Sequence, residues 1–156
     1  EALERDFLAA AGRWPEQVAV RMGFDEPLAH AIIGGADVMM VPSRFEPCGL
    51  TQLYALRYGT IPLVHRVGGL ADTVVDADEA GLADGTATGI VFRDPTVPAL
   101  LDAVRRACRL YARPNVWRAL QLRAMRMRFG WDDAARRYLD LYRTALRDRG
   151  EPAPTG

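Results

Sequence analysis

Residues 42–59, PSRFEPCGLTQLYALRYG, hold the side chains of this chain best placed to do chemistry. Glu46 sits on a short loop between an apolar run and a helix that the pattern opens at Gly49, with Leu50 and Thr51 in its first turn. The first amides of a helix have no intrahelical acceptor, and the helix dipole is positive at that end. A helix start with a glycine at its mouth therefore suits a phosphate. A carboxylate beside such a seat does not bind the phosphate itself. It meets a neutral hydroxyl or a developing positive charge, and a phosphorylated sugar offers both. Pro47 restricts Glu46 to extended backbone. Two readings of Glu46 stand together: a sugar-binding carboxylate, or an acid ahead of a helix start, worth about 0.3–1 kcal/mol. Gly49, Leu50 and Thr51 likewise read either as a diphosphate cradle or as an ordinary helix start.

A second glycine-rich segment, Val67-Gly68-Gly69-Leu70, follows the next apolar run. Its glycines suit close approach of backbone to a ligand, or any tight turn. Arg66 just before it lies where an anion is expected, or is a plain surface arginine. His65 has no His, Cys or acidic partner at metal-ligand spacing, so no metal role is assigned to it. Cys48 reads as a small residue whose backbone matters, since no basic partner makes it a nucleophile. Phe24 is placed to stack on a base or to pack in the core. Trp131, Tyr138, Leu141 and Tyr142 share helical spacing and read as the anchor of the last helix to the core.

The elements that must position these residues alternate between strand and helix. A helix over 1–12, ended by Gly12, precedes a strand at 18–20. Asp25 caps a helix with Pro27 in its first turn, running to Gly34-Gly35. DVMMV at 37–41 is a continuous apolar strand of the kind covered on both faces. The helix over 49–58, stopped by Gly59, leads to strands at 61–64 and 89–92, and three helices follow over 97–112, 114–127 and 131–147. This alternation predicts an α/β fold with a parallel sheet covered by helices, and ligands outside the carboxyl ends of its strands. The loops at 23–25, 42–49 and 65–70 then share one rim.

Composition narrows the classes. The chain has 156 residues, enough for one core, and its 20 basic and 20 acidic residues balance. Nothing in that balance points to nucleic acid or a membrane surface. No apolar run reaches the length of a spanning helix. The two cysteines, Cys48 and Cys108, lack zinc or disulfide spacing, and a reducing, cytoplasmic setting is expected. One domain is expected over 1–149, with a disordered tail over 150–156.

Together, GGADVMMVPSRFEPCGLTQLYALRYGTIPLVHRVGGLADTV, then GIVF and FGWDDAARRYLDLYRTAL, resemble the corresponding stretches of bacterial glycogen synthases and plant starch synthases. More distant relatives of that fold carry a second glutamate where Tyr54 stands here, which favours the glycogen and starch synthase branch. The resemblance implies part of the Rossmann-like C-terminal domain of a GT-B glycosyltransferase, with the first two strands of that domain and its cationic diphosphate partners missing. It implies a metal-free, cofactor-free enzyme that transfers glucose from ADP-glucose to the non-reducing end of an α-1,4-glucan with retention. On this resemblance Glu46 assists an oxocarbenium-like transition state. Cys48 and Gly49 meet glucose hydroxyls, while Leu50 and Thr51 meet the diphosphate, with Arg66, Gly68 and Gly69 at the same site. Phe24 and Tyr54 lie on the nucleobase side. His65 and Val67 depart from the basic residue and threonine usual before the glycine pair. The chain is expected to be a fragment, inactive alone. A related transferase with another sugar donor, and a non-catalytic nucleotide-sugar-binding module, are the alternatives. Without the two absent strands, the strands at 18–20 and 37–41 are expected either to pair non-natively or to leave open edges.

Overall fold

The computed structural model describes residues 2–149. The chain divides into two compact units, one up to Ile32 and one from Ile33 onward, each described by itself. The expected disordered tail lies outside the described residues.

The first unit begins with α1 (Ala2–Arg13), which runs through Gly12 instead of stopping there. A turn follows, in which the Val18 N–H donates to the Trp14 carbonyl (2.8 Å). Residues 18–20 form no strand. Three β-prone residues do not make a strand without a neighbour to complete the hydrogen-bond ladder, and no sheet pairing includes them. α2 (Glu26–Gly35) starts as the sequence suggests: the Leu28 N–H donates to the Asp25 carboxylate (3.0 Å).

The second unit holds the sheet. β1 (Val38–Val41), β2 (Ile61–His65) and β3 (Ile90–Phe92) are parallel, in the order β1-β2-β3. Val38 lies opposite Ile61, and Leu63 opposite Ile90. All of β2 is buried, as a central strand covered on both faces should be. β1 is an edge strand, and Met40 on it is half exposed. Its apolar run therefore overstates its coverage within this unit.

Helices cover the sheet. α3 (Thr51–Tyr58) ends in a left-handed Gly59, whose N–H donates to Leu56 (3.2 Å) while the Thr60 N–H donates to Ala55 (3.0 Å). That pair of bonds is a Schellman stop, which uses the positive φ of glycine. Two short helices, α4 (Gly68–Thr73) and α5 (Glu79–Ala83), were not read from sequence. α6 (Val97–Tyr111) and α7 (Pro114–Arg126) start within a residue of expectation, each with proline in its first turn. Ile61, Leu63, Ile90, Phe92, Ala103, Leu110, Trp117 and Leu120 form the main core, and Val64, Leu70 and Val74 form a smaller one. Asp76 joins β3 to α6. Its carboxylate accepts from the Val91 N–H (2.7 Å) and from both terminal nitrogens of Arg106 (2.7 and 3.0 Å), and Arg106 also donates to the Val91 carbonyl (2.8 Å).

α8 (Trp131–Asp148) has the expected bounds but not the expected packing. Trp131 is 81% exposed, and Tyr138, Leu141 and Tyr142 are each more than half exposed. Among the described residues, none on α8 is buried. Helical spacing made the apolar stripe, and nothing in this unit covers it. No helix among the described residues is long and apolar enough to cross a membrane.

Candidate functional site

The loop from β1 to α3 carries Glu46. Gly49 closes it in a left-handed conformation (φ 71°), so the helix does not open there. It opens two residues later at Thr51, after Leu50, and no side chain caps it. The first helical backbone bond runs from the Tyr54 N–H to the Leu50 carbonyl (2.9 Å). The amides of Thr51, Gln52 and Leu53 therefore lie outside the ladder, the condition an anion seat requires. Gly49 serves as the bend that aims this start, not as its first turn.

The second loop leaves β2 at the same rim. The Arg66 N–H donates to the Phe92 carbonyl (2.9 Å), tying the start of this loop to β3. What read as a turn at 67–70 is the beginning of α4, entered from an extended Val67. The Gly69 N–H is shared between the carbonyls of Glu46 (3.2 Å) and Pro47 (3.1 Å). A Cβ at Gly68 would collide with the Glu46 carbonyl, and one at Gly69 with the Cys48 backbone. The glycine pair is thus required by the Glu46 loop itself, whose backbone lies directly on it. Gly68 also holds a positive φ of 43°.

Two residues without a binding role in the sequence reading complete the construction. Gln52 is fully buried, and its side-chain amide donates to the carbonyls of Cys48 and Gly49, both at 3.0 Å, and to the Thr73 hydroxyl (3.3 Å). Thr73 in turn donates to the Gly69 carbonyl (2.5 Å). His65, also buried, places Nδ1 2.7 Å from the Ser43 carbonyl and Nε2 3.0 Å from the Arg93 carbonyl. Its ring links the loops that follow all three strands. No sequence signal singles out Gln52, a polar residue on a helix, and nothing beyond its place at a strand end marks His65.

The structure therefore brings Glu46, Cys48, Gly49, Leu50, Thr51, Arg66, Gly68 and Gly69 to one rim of the sheet. Glu46 is half-buried there, while Cys48, Leu50, Thr51 and Arg66 are exposed. Tyr54 lies one turn further along α3 and is partly exposed (38%). Phe24 belongs to the first unit, and at 92% exposed it does not pack in a core. Among the described residues, no group of three or more His, Cys, Asp or Glu side chains could hold a metal ion.

Comparison with known proteins bears on what this rim does. The family described as "Glycosyl transferases group 1" matches residues 16–119. The chain is 61% identical over 140 residues to the glycogen synthase of Serratia proteamaculans (strain 568), covering 90% of this chain and 29% of that protein. It is 60% identical over 143 residues to the glycogen synthase of Albidiferax ferrireducens, covering 92% and 29%. Among solved structures it matches the catalytic domain of Starch Synthase IV from Arabidopsis thaliana bound to ADP and acarbose, with a TM-score of 0.76 at 32% identity over 92% of this chain and 30% of that one. The likeness to glycogen and starch synthases and the α/β fold read from the sequence are both borne out. The chain spans about 29% of the length of the glycogen synthases it matches. By the match over two thirds of its length, the chain belongs to the group 1 glycosyl transferases.

Proposed function

We propose that the chain is the sugar-donor side of a glycogen synthase, which transfers glucose from ADP-glucose to the non-reducing end of an α-1,4-glucan with retention. The observation that carries this reading is the uncapped start of α3 beneath a Glu46 loop locked onto Gly68 and Gly69, in a chain 61% identical to a glycogen synthase. The amides at Leu50 and Thr51, with Arg66 beside them, face the diphosphate and stabilise the charge that builds on it as the bond to glucose breaks. Backbone groups at Cys48 and Gly49 hold glucose hydroxyls. The Glu46 carboxylate stands beside the sugar and stabilises the positive charge developing at its anomeric carbon, so it contributes more in the transition state than in the bound ground state. Tyr54 and Phe24 serve the nucleoside. The chemistry requires no metal and no cofactor, because backbone amides and guanidinium meet the phosphate charge. The protein works in the cytoplasm.

The ADP in the starch synthase structure supports the choice of nucleotide. The full gene product, given ADP-, UDP- and GDP-glucose in competition with glycogen as acceptor, is expected to use ADP-glucose. Preference for another nucleotide overturns the donor assignment, and binding without transfer leaves a non-catalytic module. Spanning 29% of its relatives, the chain alone is expected to transfer no glucose.

A further inference from the structure

We propose that Gln52 is the positioning residue of this site: its buried amide holds the Glu46 loop in the shape that seats a nucleotide sugar. The role rests on the function proposed above. The orientation of the amide follows from chemistry, because the atom facing Cys48 and Gly49 meets two carbonyl oxygens at 3.0 Å and must be the NH2 group. The Thr73 hydroxyl has one hydrogen, which goes to the Gly69 carbonyl, so Thr73 accepts from Gln52. Gly69 then donates its N–H to Glu46 and Pro47. The bonds form a closed circuit running from the loop through Gln52, Thr73 and Gly69 back to the loop. Its first half is tied by Gly69 and its second half by Gln52.

The circuit carries a cost. Gln52 Oε1 is buried with no hydrogen-bond partner among the described residues. An apolar side chain of the same length would remove the unpaired oxygen but leave the Cys48 and Gly49 carbonyls without their donor. What glutamine adds is two hydrogens shared among three acceptors, the Cys48 and Gly49 carbonyls ahead of the helix and the Thr73 hydroxyl. At the bend, a Cβ on Gly49 would meet the Gln52 amide. Gly49 and Gln52 are thus one device: glycine makes room for the amide, and the amide fixes the glycine's turn.

The test compares Gln52→Met, Thr73→Val and Thr73→Ser. In the chain, hydrogen exchange of the Gly69 amide, which donates to the Glu46 loop, is expected to quicken about tenfold or more in Gln52→Met, with β2 and α6 amides keeping their protection. In the full gene product, kcat is expected to fall about tenfold or more while KM for ADP-glucose moves less than about threefold. Thr73→Val shifts both readouts in the same direction by less, and Thr73→Ser restores them. Should Gln52→Met fail to fold, the Thr73 pair carries the test alone, since Thr73 is only partly buried. Uniform loss of protection across the chain, an unchanged Gly69 amide, or Thr73→Ser as impaired as Thr73→Val would overturn the proposal. If the Gly69 amide exchanges as expected but Glu46→Gln leaves turnover normal, the function reading falls while the tie made by Gln52 stands.

Discussion

Gly69→Ala perturbs the contact on which the geometry of the site depends. Gly69 has no positive φ, so alanine brings no backbone strain and the effect isolates the collision. The added Cβ would run into the Cys48 backbone, which cannot rotate aside as a side chain can. Forced overpacking of this kind costs about 1–3 kcal/mol. Displacing the loop also breaks the bond shared between Gly69 N–H and the Glu46 and Pro47 carbonyls, at about 0.5–1.5 kcal/mol. Alanine returns about 0.4–1 kcal/mol by restricting the unfolded chain. The net expectation is a loss of about 0.5–4 kcal/mol. Urea unfolding reads it as a lower midpoint at constant slope. Gly35→Ala is the control, because nothing lies within 4 Å of its Cβ position; it should be neutral or slightly stabilising. A Gly69→Ala protein as stable as the parent would show that the loop does not rest on the glycine pair, and the construction of the site would fail with it.

Other consequences are more local. In the full gene product, Glu46→Gln is expected to lower kcat by about two orders of magnitude or more while ADP affinity changes only a few-fold, since the carboxylate acts on charge that appears in the transition state; equal loss in both would make Glu46 a binding residue only. Asp76→Ala leaves Arg106 and the Val91 N–H without their partner, and chemical denaturation should register a loss of about 2 kcal/mol at neutral pH. Trp117→Ala should cost about 3–5 kcal/mol, because this ring is buried and packs edge-on against Tyr111 at 5.2 Å. Leu141→Lys on the uncovered face of α8 should stay within about 0.5 kcal/mol by the same assay.

Local signals made much of this fold legible. Apolar runs bounded by turn residues gave β1, β2 and β3 to within a residue at each end, and α6 and α7 start at 97 and 114 as the helical pattern has them. What the sequence hid depends on partners. The run at 18–20 has the composition of a strand and lacks a neighbour to pair with. The stripe on α8 has the period of a core face, and none of its described residues is buried. α4 is a short helix entered without a side-chain cap, and the loop lying over its glycines is part of what holds it. The functional rim shows the same division. Glu46, Gly49 and the glycine pair stand out by type and position, but the reason for the pair was not visible. It is the Glu46 loop, brought from across β1 and β2, that occupies the space a Cβ would take. Gln52 looks like any polar residue on a helix until its carbonyl partners are known.

The central claim is that a nucleotide sugar sits at the open start of α3, beside the Glu46 loop that rests on the glycine pair. Amide chemical-shift mapping of the chain with millimolar ADP tests it most directly, because weak binding still reports residue by residue. The account predicts the largest shifts at residues 48–52 and 66–69, with β3 and α6 unaffected. Shifts that gather elsewhere, or their absence from those two loops, would contradict it.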